Sequence, residues 1–286
     1  TMPFLSIRGV QLYYEDTGGP GEPIVFSHGL LWNSHLYSQQ IEALRGRYRC
    51  IAYDHRGQGR SAAPPGKAID LRTVYEDAVA FIQALGLAPC HFVGLSQGGF
   101  VGLRVAARHP ELLRSLTLLD TCASSESLWN LSRYWLLTAT THWLGLRPVV
   151  DRLMSIYFGP TFMKDPARAA EREELRRQLL QNPRDVWRAM QGVITRRGVT
   201  EELSRITTPT LILVGEEDVV TRPETAETLH TRIQGSRLVR LPHVGHMSNL
   251  EQPELVNRAI HRFLSGLTPS RHEALALDTR VAVSAP

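Results

Sequence analysis

One short segment, residues 91–100, most constrains how this chain can fold, because it places a serine between an apolar strand and an apolar helix. It reads His-Phe-Val-Gly-Leu-Ser-Gln-Gly-Gly-Phe, with Gly94 two residues before Ser96 and Gly98 two residues after it. A serine at such a turn lies on a sharp, strained bend that projects its hydroxyl above a sheet. The flanking backbones pass close together, which glycine tolerates best. The segment predicts a strand–turn–helix unit with Ser96 as nucleophile; the alternative is a glycine-rich turn with an incidental serine.

Strand and helix patterns alternate on both sides of this unit. After an opening hairpin of Phe4–Ile7 and Val10–Tyr14, strands are predicted at Pro23–Phe26, Cys50–Tyr53, His91–Gly94, Ser115–Leu119, Thr210–Val214 and Arg237–Leu241. Helices are predicted at Ser34–Arg45, Tyr75–Leu85, Phe100–Ala107, Glu224–Ile233 and Glu254–Leu264. Short apolar runs joined by helical crossovers are typical of buried parallel strands. The chain is therefore predicted to be an α/β protein with a mostly parallel central sheet and helices on both faces.

The alternation stops between Ser124 and about Thr200, where the pattern is helical and rich in arginine. We expect residues 122–202 to form a helical cap inserted over the carboxyl edge of the sheet, and residues 1–121 and 203–267 to form the core. Residues 268–286 have no clear period and are expected to be a C-terminal tail, to which no function is assigned.

Composition narrows the possible partners. The net charge of +4 is spread thinly over 286 residues without a Lys/Arg-rich run, so neither a nucleic acid nor a membrane is an expected partner. Cys50, Cys90 and Cys122 lie far apart in apolar surroundings and are predicted to be reduced and buried, with no metal site or disulfide. The first residues lack the pattern of a signal peptide, and the longest apolar segment, Leu128 to Leu146, is interrupted by charge. A cytoplasmic location is expected.

A serine hydroxyl is a weak nucleophile, so Ser96 needs a base, and the base needs an orienting acid. In sheets of this kind the three residues follow the chain order Ser, Asp or Glu, His. Asp218 comes just after the predicted strand Thr210–Val214, and His246 follows the next strand. Both lie at the sheet edge where Ser96 emerges, and sites in α/β proteins form at that edge. Asp218 and His246 are therefore the predicted acid and base.

Several neighbours compete for these roles. Asp120 ends the strand after the serine helix, and Glu216 and Glu217 directly precede Asp218. His243 could replace His246 as the base, but Gly245 gives the loop freedom directly before His246. A metal site formed by the two histidines is disfavoured because no third ligand follows at suitable spacing. His28, at the end of an earlier strand, is expected to be a structural hydrogen-bonding residue.

Backbone N–H groups should stabilise the negative charge that develops on the attacked carbonyl oxygen. The loop Ser27-His28-Gly29-Leu30 is placed to present the N–H of Leu30 beside that of Gln97. Candidate pocket walls are the apolar residues beside this loop and the tryptophans of the cap: Leu31, Trp32, Trp129, Trp135 and Trp143. The alternative for each tryptophan is simple packing between cap and core.

Four segments together resemble the α/β-hydrolase superfamily: Phe26–Gly29, Tyr53–Ser61, the Ser96 turn and Val244–His246. The resemblance covers Phe4 to Gly266 and is strongest to esterases and lactonases of the oxoadipate enol-lactonase type. It implies a serine hydrolase that cleaves a small-molecule carboxylic ester or lactone through an acyl-enzyme, with no cofactor and no metal. It also implies that the turn Asp54–Ser61 is structural. A serine rather than an aspartate as nucleophile separates the chain from haloalkane dehalogenases and epoxide hydrolases.

Two other functions fit the same fold. One is hydrolysis of a C–C bond in vinylogous diketones, which uses the same three residues. The other is a non-catalytic ligand receptor, since a fold alone does not determine function. The oligomeric state is not predicted.

Overall fold

An eight-stranded sheet is the centre of the computed structural model, which describes residues 3–66 and 68–267 without the side chain of Trp129. The strands are β1 (Phe4–Ile7), β2 (Val10–Asp16), β3 (Pro23–Ser27), β4 (Arg49–Tyr53), β5 (Cys90–Leu95), β6 (Leu113–Leu119), β7 (Thr210–Gly215) and β8 (Arg237–Leu241). Their order in the sheet is β1-β2-β4-β3-β5-β6-β7-β8. Among the described residues the pairs β1–β2 and β2–β4 are antiparallel, and the other five strand pairs are parallel. The predicted α/β class and mostly parallel sheet are confirmed, and the predicted tail at 268–286 lies outside the described residues.

Helices cover both faces of the sheet. They are α1 (Ser38–Leu44), α2 (Leu71–Ala84), α3 (Gln97–Arg108), α4 (Leu128–Leu144), α5 (Val150–Tyr157), α6 (Pro160–Lys164), α7 (Ala169–Leu180), α8 (Trp187–Ile194), α9 (Pro223–Arg232), α10 (Ser248–Glu251) and α11 (Pro253–Ser265). Alternate residues of β3 face opposite ways: Ile24 and Phe26 pack with α1 and α11, and Val25 packs with α2 and α3. This period of two is what a sheet buried on both faces requires.

None of the five predicted helices begins at the expected residue. Helices α9 and α11 begin one residue earlier, and α3 begins at Gln97 rather than Phe100. The segment at Ser34 opens as a short 3₁₀ turn, Ser34–Tyr37, before α1 begins. Helix α2 begins at Leu71 rather than Tyr75, because the Asp70 side chain caps it by accepting a hydrogen bond from the N–H of Thr73 at 2.7 Å. An N-cap carboxylate satisfies an otherwise unpaired donor of the first turn.

Five helices, α4 to α8, lie between β6 and β7 and occupy the segment predicted to be a cap. They contact the loops that follow the strands: the Tyr157 hydroxyl donates to the Leu30 carbonyl at 2.9 Å, and the Asn182 amide donates to the Leu31 carbonyl at 2.7 Å. Thr161 bonds Glu217 in the loop after β7. These helices therefore lie over the carboxyl edge of the sheet. Among the described residues, none of the helices combines the length and the apolar character needed to cross a membrane.

Candidate active site

Ser96 lies on a strained turn between β5 and α3. Its φ of +50° and ψ of −110° fall in a region that residues other than glycine rarely adopt. The turn is held by the Ser96 N–H, which donates to the Leu119 carbonyl at 2.9 Å, and by the Thr121 hydroxyl, which donates to the Ser96 carbonyl at 2.8 Å. A Cβ at Gly94 would lie 2.3 Å from the Gly98 carbonyl oxygen, so the small residues predicted around the serine are sterically required.

His246 and Asp218 form a fully buried pair. His246 Nδ1 lies 2.8 Å from Asp218 Oδ2, and both side chains are inaccessible to solvent. Asp218 also accepts from the backbone N–H groups of Val220 and Thr221, at 2.8 and 3.0 Å, and from the Thr221 hydroxyl at 2.8 Å. Because a carboxylate only accepts hydrogen bonds, Nδ1 carries the hydrogen and Nε2 keeps its lone pair.

The electrostatics of this pair suit a base. Burial by itself lowers the pKa of His246, but the charge and hydrogen bond of Asp218 more than offset it, so the net pKa is raised. Among the described residues, His246 Nε2 has no hydrogen-bond partner, and His246 lines the same cavity as Ser96. The predicted nucleophile and base therefore face one space.

Among the described residues, none of the rival acids forms a hydrogen bond with His246. Asp120 is buried and accepts from the N–H groups of Gly215 at 2.9 Å and Ser248 at 3.3 Å. Burial and the nearby Asp218 raise the pKa of Asp120 to about 8. Its carboxyl thus links the segment that precedes Asp218 to the segment that follows His246.

The two glutamates and the second histidine lie elsewhere. Glu216 pairs with Arg240 at 3.3 Å, and Glu217 accepts from the N–H of Thr161 in the cap at 2.9 Å. His243 has an exposed side chain, 3.9 Å from Glu217. None of the three lies against the Asp218–His246 pair.

His28 has the structural role expected of it. Its Nε2 accepts from the N–H of His55 at 2.8 Å, so its Nδ1 must carry the hydrogen and donate to the Gly29 carbonyl at 2.7 Å. A proton on Nε2 would point at that N–H donor, and burial also lowers the pKa of His28, so both effects favour the neutral ring. Both ring nitrogens are therefore committed to holding the loop after β3.

A glutamine that the sequence analysis did not single out holds the predicted oxyanion loop. Gln58 Oε1 accepts from the N–H of Leu31 at 2.8 Å, and Gln58 Nε2 donates to Gln97 Oε1 at 2.9 Å. Leu31 itself has a φ of +68°. Gln58 thus fixes the loop with Leu30 against the start of α3, where the first N–H groups lack intrahelical partners. In the sequence, this role is indicated by the position of Gln58 within the turn Asp54–Ser61.

A largely apolar cavity with an open mouth lies between the sheet edge and the cap. It is lined by Leu30, Leu31, Ser96, Phe100, Glu126, Tyr134, Leu137, Thr138, Leu153, Ile156, Tyr157, Met190, Val193, Ile194, Arg196, Val220, Thr221 and His246. Leu31 is the pocket-wall candidate that the structure brings to the site. The cap side comes mainly from α4, α5 and α8, whose apolar residues were not distinguished from packing residues in the sequence.

The tryptophans are placed differently from the expectation. Trp32 is buried against the rings of Tyr157 and Phe158, whose centroids are 6.1 and 6.2 Å away, and it is not among the residues that line the cavity. Trp135 and Trp143 are 37% and 70% exposed on the outer face of α4, because the helix turns its opposite face inward. The expectation that these three line the pocket was wrong, and the Trp129 side chain lies outside the described residues.

Cys50, Cys90 and Cys122 are buried, and no disulfide joins them. Within residues 3–66 and 68–267, no group of three or more His, Cys, Asp or Glu side chains is arranged to bind a metal.

Comparisons with known proteins agree with this architecture. Residues 22–253 match the family described as the α/β hydrolase fold. The chain is 29% identical to 3-oxoadipate enol-lactonase 2 of Acinetobacter baylyi, over 90% of this chain and 94% of that protein. It is 28% identical to a putative carbamate hydrolase RutD of Caulobacter sp. strain K31, over 89% and 96%. A thermophilic esterase from Thermogutta terrifontis superimposes with a TM-score of 0.83 at 27% identity, over 93% and 97% of the two chains.

Proposed function

The chain belongs to the α/β-hydrolase fold family, and we propose that it hydrolyses a carboxylic ester or lactone through a Ser96–His246–Asp218 triad and an acyl-enzyme. The observation that carries the proposal is the buried His246 Nδ1–Asp218 Oδ2 contact of 2.8 Å, which leaves Nε2 without a hydrogen-bond partner among the described residues, in a histidine that lines the same cavity as Ser96. The hydrolase relatives support the reaction class. The choice of ester or lactone is supported by the enol-lactonase and esterase among them.

The first half-reaction forms the acyl-enzyme. His246 Nε2 takes the hydroxyl proton of Ser96 as Oγ attacks the substrate carbonyl, and Asp218 stabilises the imidazolium that results. The Leu30 and Gln97 N–H groups donate to the oxyanion of the tetrahedral intermediate; losing one such donor costs about 10²–10³ in rate. His246 then protonates the leaving alkoxide, and the C–O bond breaks.

The second half-reaction releases the acid. Water loses a proton to His246 Nε2 and attacks the acyl carbonyl, and the returned proton restores Ser96. The strained Ser96 backbone and the Gln58 bridge hold nucleophile and donors in place before the substrate arrives. Pre-organised donors need no reorganisation during reaction, which is the main source of such stabilisation.

The test is turnover of 4-nitrophenyl butyrate and a panel of γ- and δ-lactones by the purified chain and by Ser96→Ala. We expect turnover that falls by about 10⁴-fold or more in Ser96→Ala. Ser155→Ala is the matched control, because Ser155 is exposed on α5 and bonds only the Asp151 carbonyl among the described contacts. Mass spectrometry after a fluorophosphonate probe should locate the adduct on Ser96.

Three results would contradict the proposal in different ways. Turnover of vinylogous diketones without ester or lactone turnover would favour C–C hydrolysis. Ligand binding without any turnover would favour a receptor. Activity that survives in Ser96→Ala would remove the serine from the mechanism.

A further inference from the structure

One ion pair interrupts the apolar wall of the cavity. Glu126 Oε2 lies 3.0 Å from Arg196 NH1, and both side chains are largely buried. Glu126 and Arg196 are the two Asp, Glu, Lys or Arg residues among those that line the cavity. A buried charge is tolerated when it is paired, so the pair leaves this wall without net charge.

The guanidinium of Arg196 is already occupied. Its Nε donates to the Ser124 carbonyl at 3.1 Å, NH1 also donates to the Val193 carbonyl at 2.9 Å, and NH2 contacts Cys122 Sγ at 3.6 Å. With the bond to Glu126, these contacts use four of the five N–H groups of an arginine. Arg196 therefore has no free fork with which to bind a substrate carboxylate through two bonds.

The pair lies close to the reacting centre. Phe100 is one turn along α3 from Ser96, whose carbonyl accepts from the Phe100 N–H at 3.0 Å. The Arg196 guanidinium lies over the Phe100 ring at 4.3 Å from its centroid. A substrate group that passes Ser96 towards the cap thus meets the pair within an otherwise apolar space.

A negative charge is disfavoured at this wall. Burial raises the pKa of the Tyr134 phenol to about 12, and the nearby Glu126 adds to that rise. Tyr134 lines the cavity beside the pair. A second anion placed here would be desolvated without a partner and would face Glu126.

We propose that the Glu126–Arg196 pair makes the cavity selective for uncharged substrates, so that esters and lactones carrying a carboxylate near the reacting carbonyl are excluded. This inference rests on the proposed hydrolase function. The pair acts on binding and leaves the chemistry at Ser96 and His246 as described.

The experiment compares kcat/KM for two pairs of nearly isosteric esters. 4-Nitrophenyl hemiglutarate and 4-nitrophenyl 5-methylhexanoate differ by a carboxylate or an isopropyl group on the acyl side. 3-Carboxyphenyl acetate and 3-isopropylphenyl acetate differ in the same way on the alcohol side. We expect the wild-type protein to favour the neutral ester by about tenfold or more in at least one pair, equal to ~1.4 kcal/mol.

Glu126→Gln keeps the size and an acceptor oxygen but leaves the charge of Arg196 uncompensated. In the pair that shows discrimination, it should raise the anionic-to-neutral ratio of kcat/KM about tenfold. Glu202→Gln is the matched control, because Glu202 pairs with Arg108 at 2.6 Å outside the cavity and its loss changes the net charge equally. The control should keep the wild-type ratio.

Equal or better turnover of the anionic esters by the wild-type protein would overturn the inference, and this comparison needs no variant to fold. A Glu126→Gln protein that melts cooperatively and keeps the wild-type ratio would also overturn it. Absence of turnover with all four esters would instead count against the proposed function itself.

Discussion

Replacing Gly98 by alanine is the sharpest test of the local geometry around the serine. A Cβ at this position would lie 1.8 Å from the Ser27 carbonyl oxygen and 2.5 Å from its carbon, both in the backbone of the neighbouring strand β3. Ordinary contact begins at 3.4 Å, so the start of α3 and the end of β3 would have to separate by about 1.6 Å. Neither atom belongs to a flexible side chain that could turn away.

The separation has two costs. Ser27 also accepts a hydrogen bond from the Tyr37 hydroxyl at 2.9 Å, which movement of β3 would strain. Overpacking of this kind costs about 3 kcal/mol, which for a chain of this size lowers Tm by about 6–12 °C. The same movement carries the Leu30 N–H away from the Gln97 N–H, and a misplacement of about 1 Å costs about 10²-fold in rate.

The assay is thermal unfolding together with kcat/KM on the best ester. Gly46→Ala is the matched control, because its added Cβ meets nothing within 4 Å, and it should change both quantities little. A Gly98→Ala protein with wild-type Tm and kcat/KM would refute the claim that the serine turn requires a small residue at this position.

Two further predictions concern the acid and the base. Asp218→Asn should lower kcat by about 10⁴-fold, because the amide favours the wrong imidazole tautomer. Asp120→Asn should lower kcat by about tenfold or less, since Asp120 accepts hydrogen bonds from backbone N–H groups and makes none with His246. The reverse order of the two effects in steady-state kinetics would make Asp120 the acid. Since the pKa of His246 is raised and only its neutral form accepts the serine proton, kcat/KM should rise with pH through a midpoint above the usual histidine value. That midpoint should move down in any residual activity of Asp218→Asn, and a pH-independent profile from pH 5 to 9 would contradict the assignment of the base.

The local elements could be predicted because their causes are local. The strand at His91–Gly94 and the turn at Ser96 follow from an apolar run, two glycines and a helical pattern that are adjacent in the chain. The start of α2 was misplaced because a single cap, Asp70, decides it, and caps leave little trace in apolar periodicity.

The packing of the cap helices could not be predicted from local patterns of this kind. Its helical character was predicted, but the orientation of α4 was not, because Trp135 and Leu137 lie on different faces of a helix that carries large apolar residues on both of them. Packing against α8 and the sheet edge decides which face turns inward. The predicted tryptophan lining therefore failed while a helical segment over the site was found.

The sequence by itself determined the α/β class, the strained serine turn and the order Ser96, Asp218, His246, since periodicity, glycine placement and chain order are all legible along the chain. Only the tertiary structure decided which carboxylate meets His246, how Gln58 holds the loop with Leu30, and that Glu126 meets Arg196, a partner 70 residues away. Those pairings depend on how loops from separate strands and cap helices pack together. No local pattern encodes them, because a side chain has the same sequence neighbours whichever way the tertiary fold turns it.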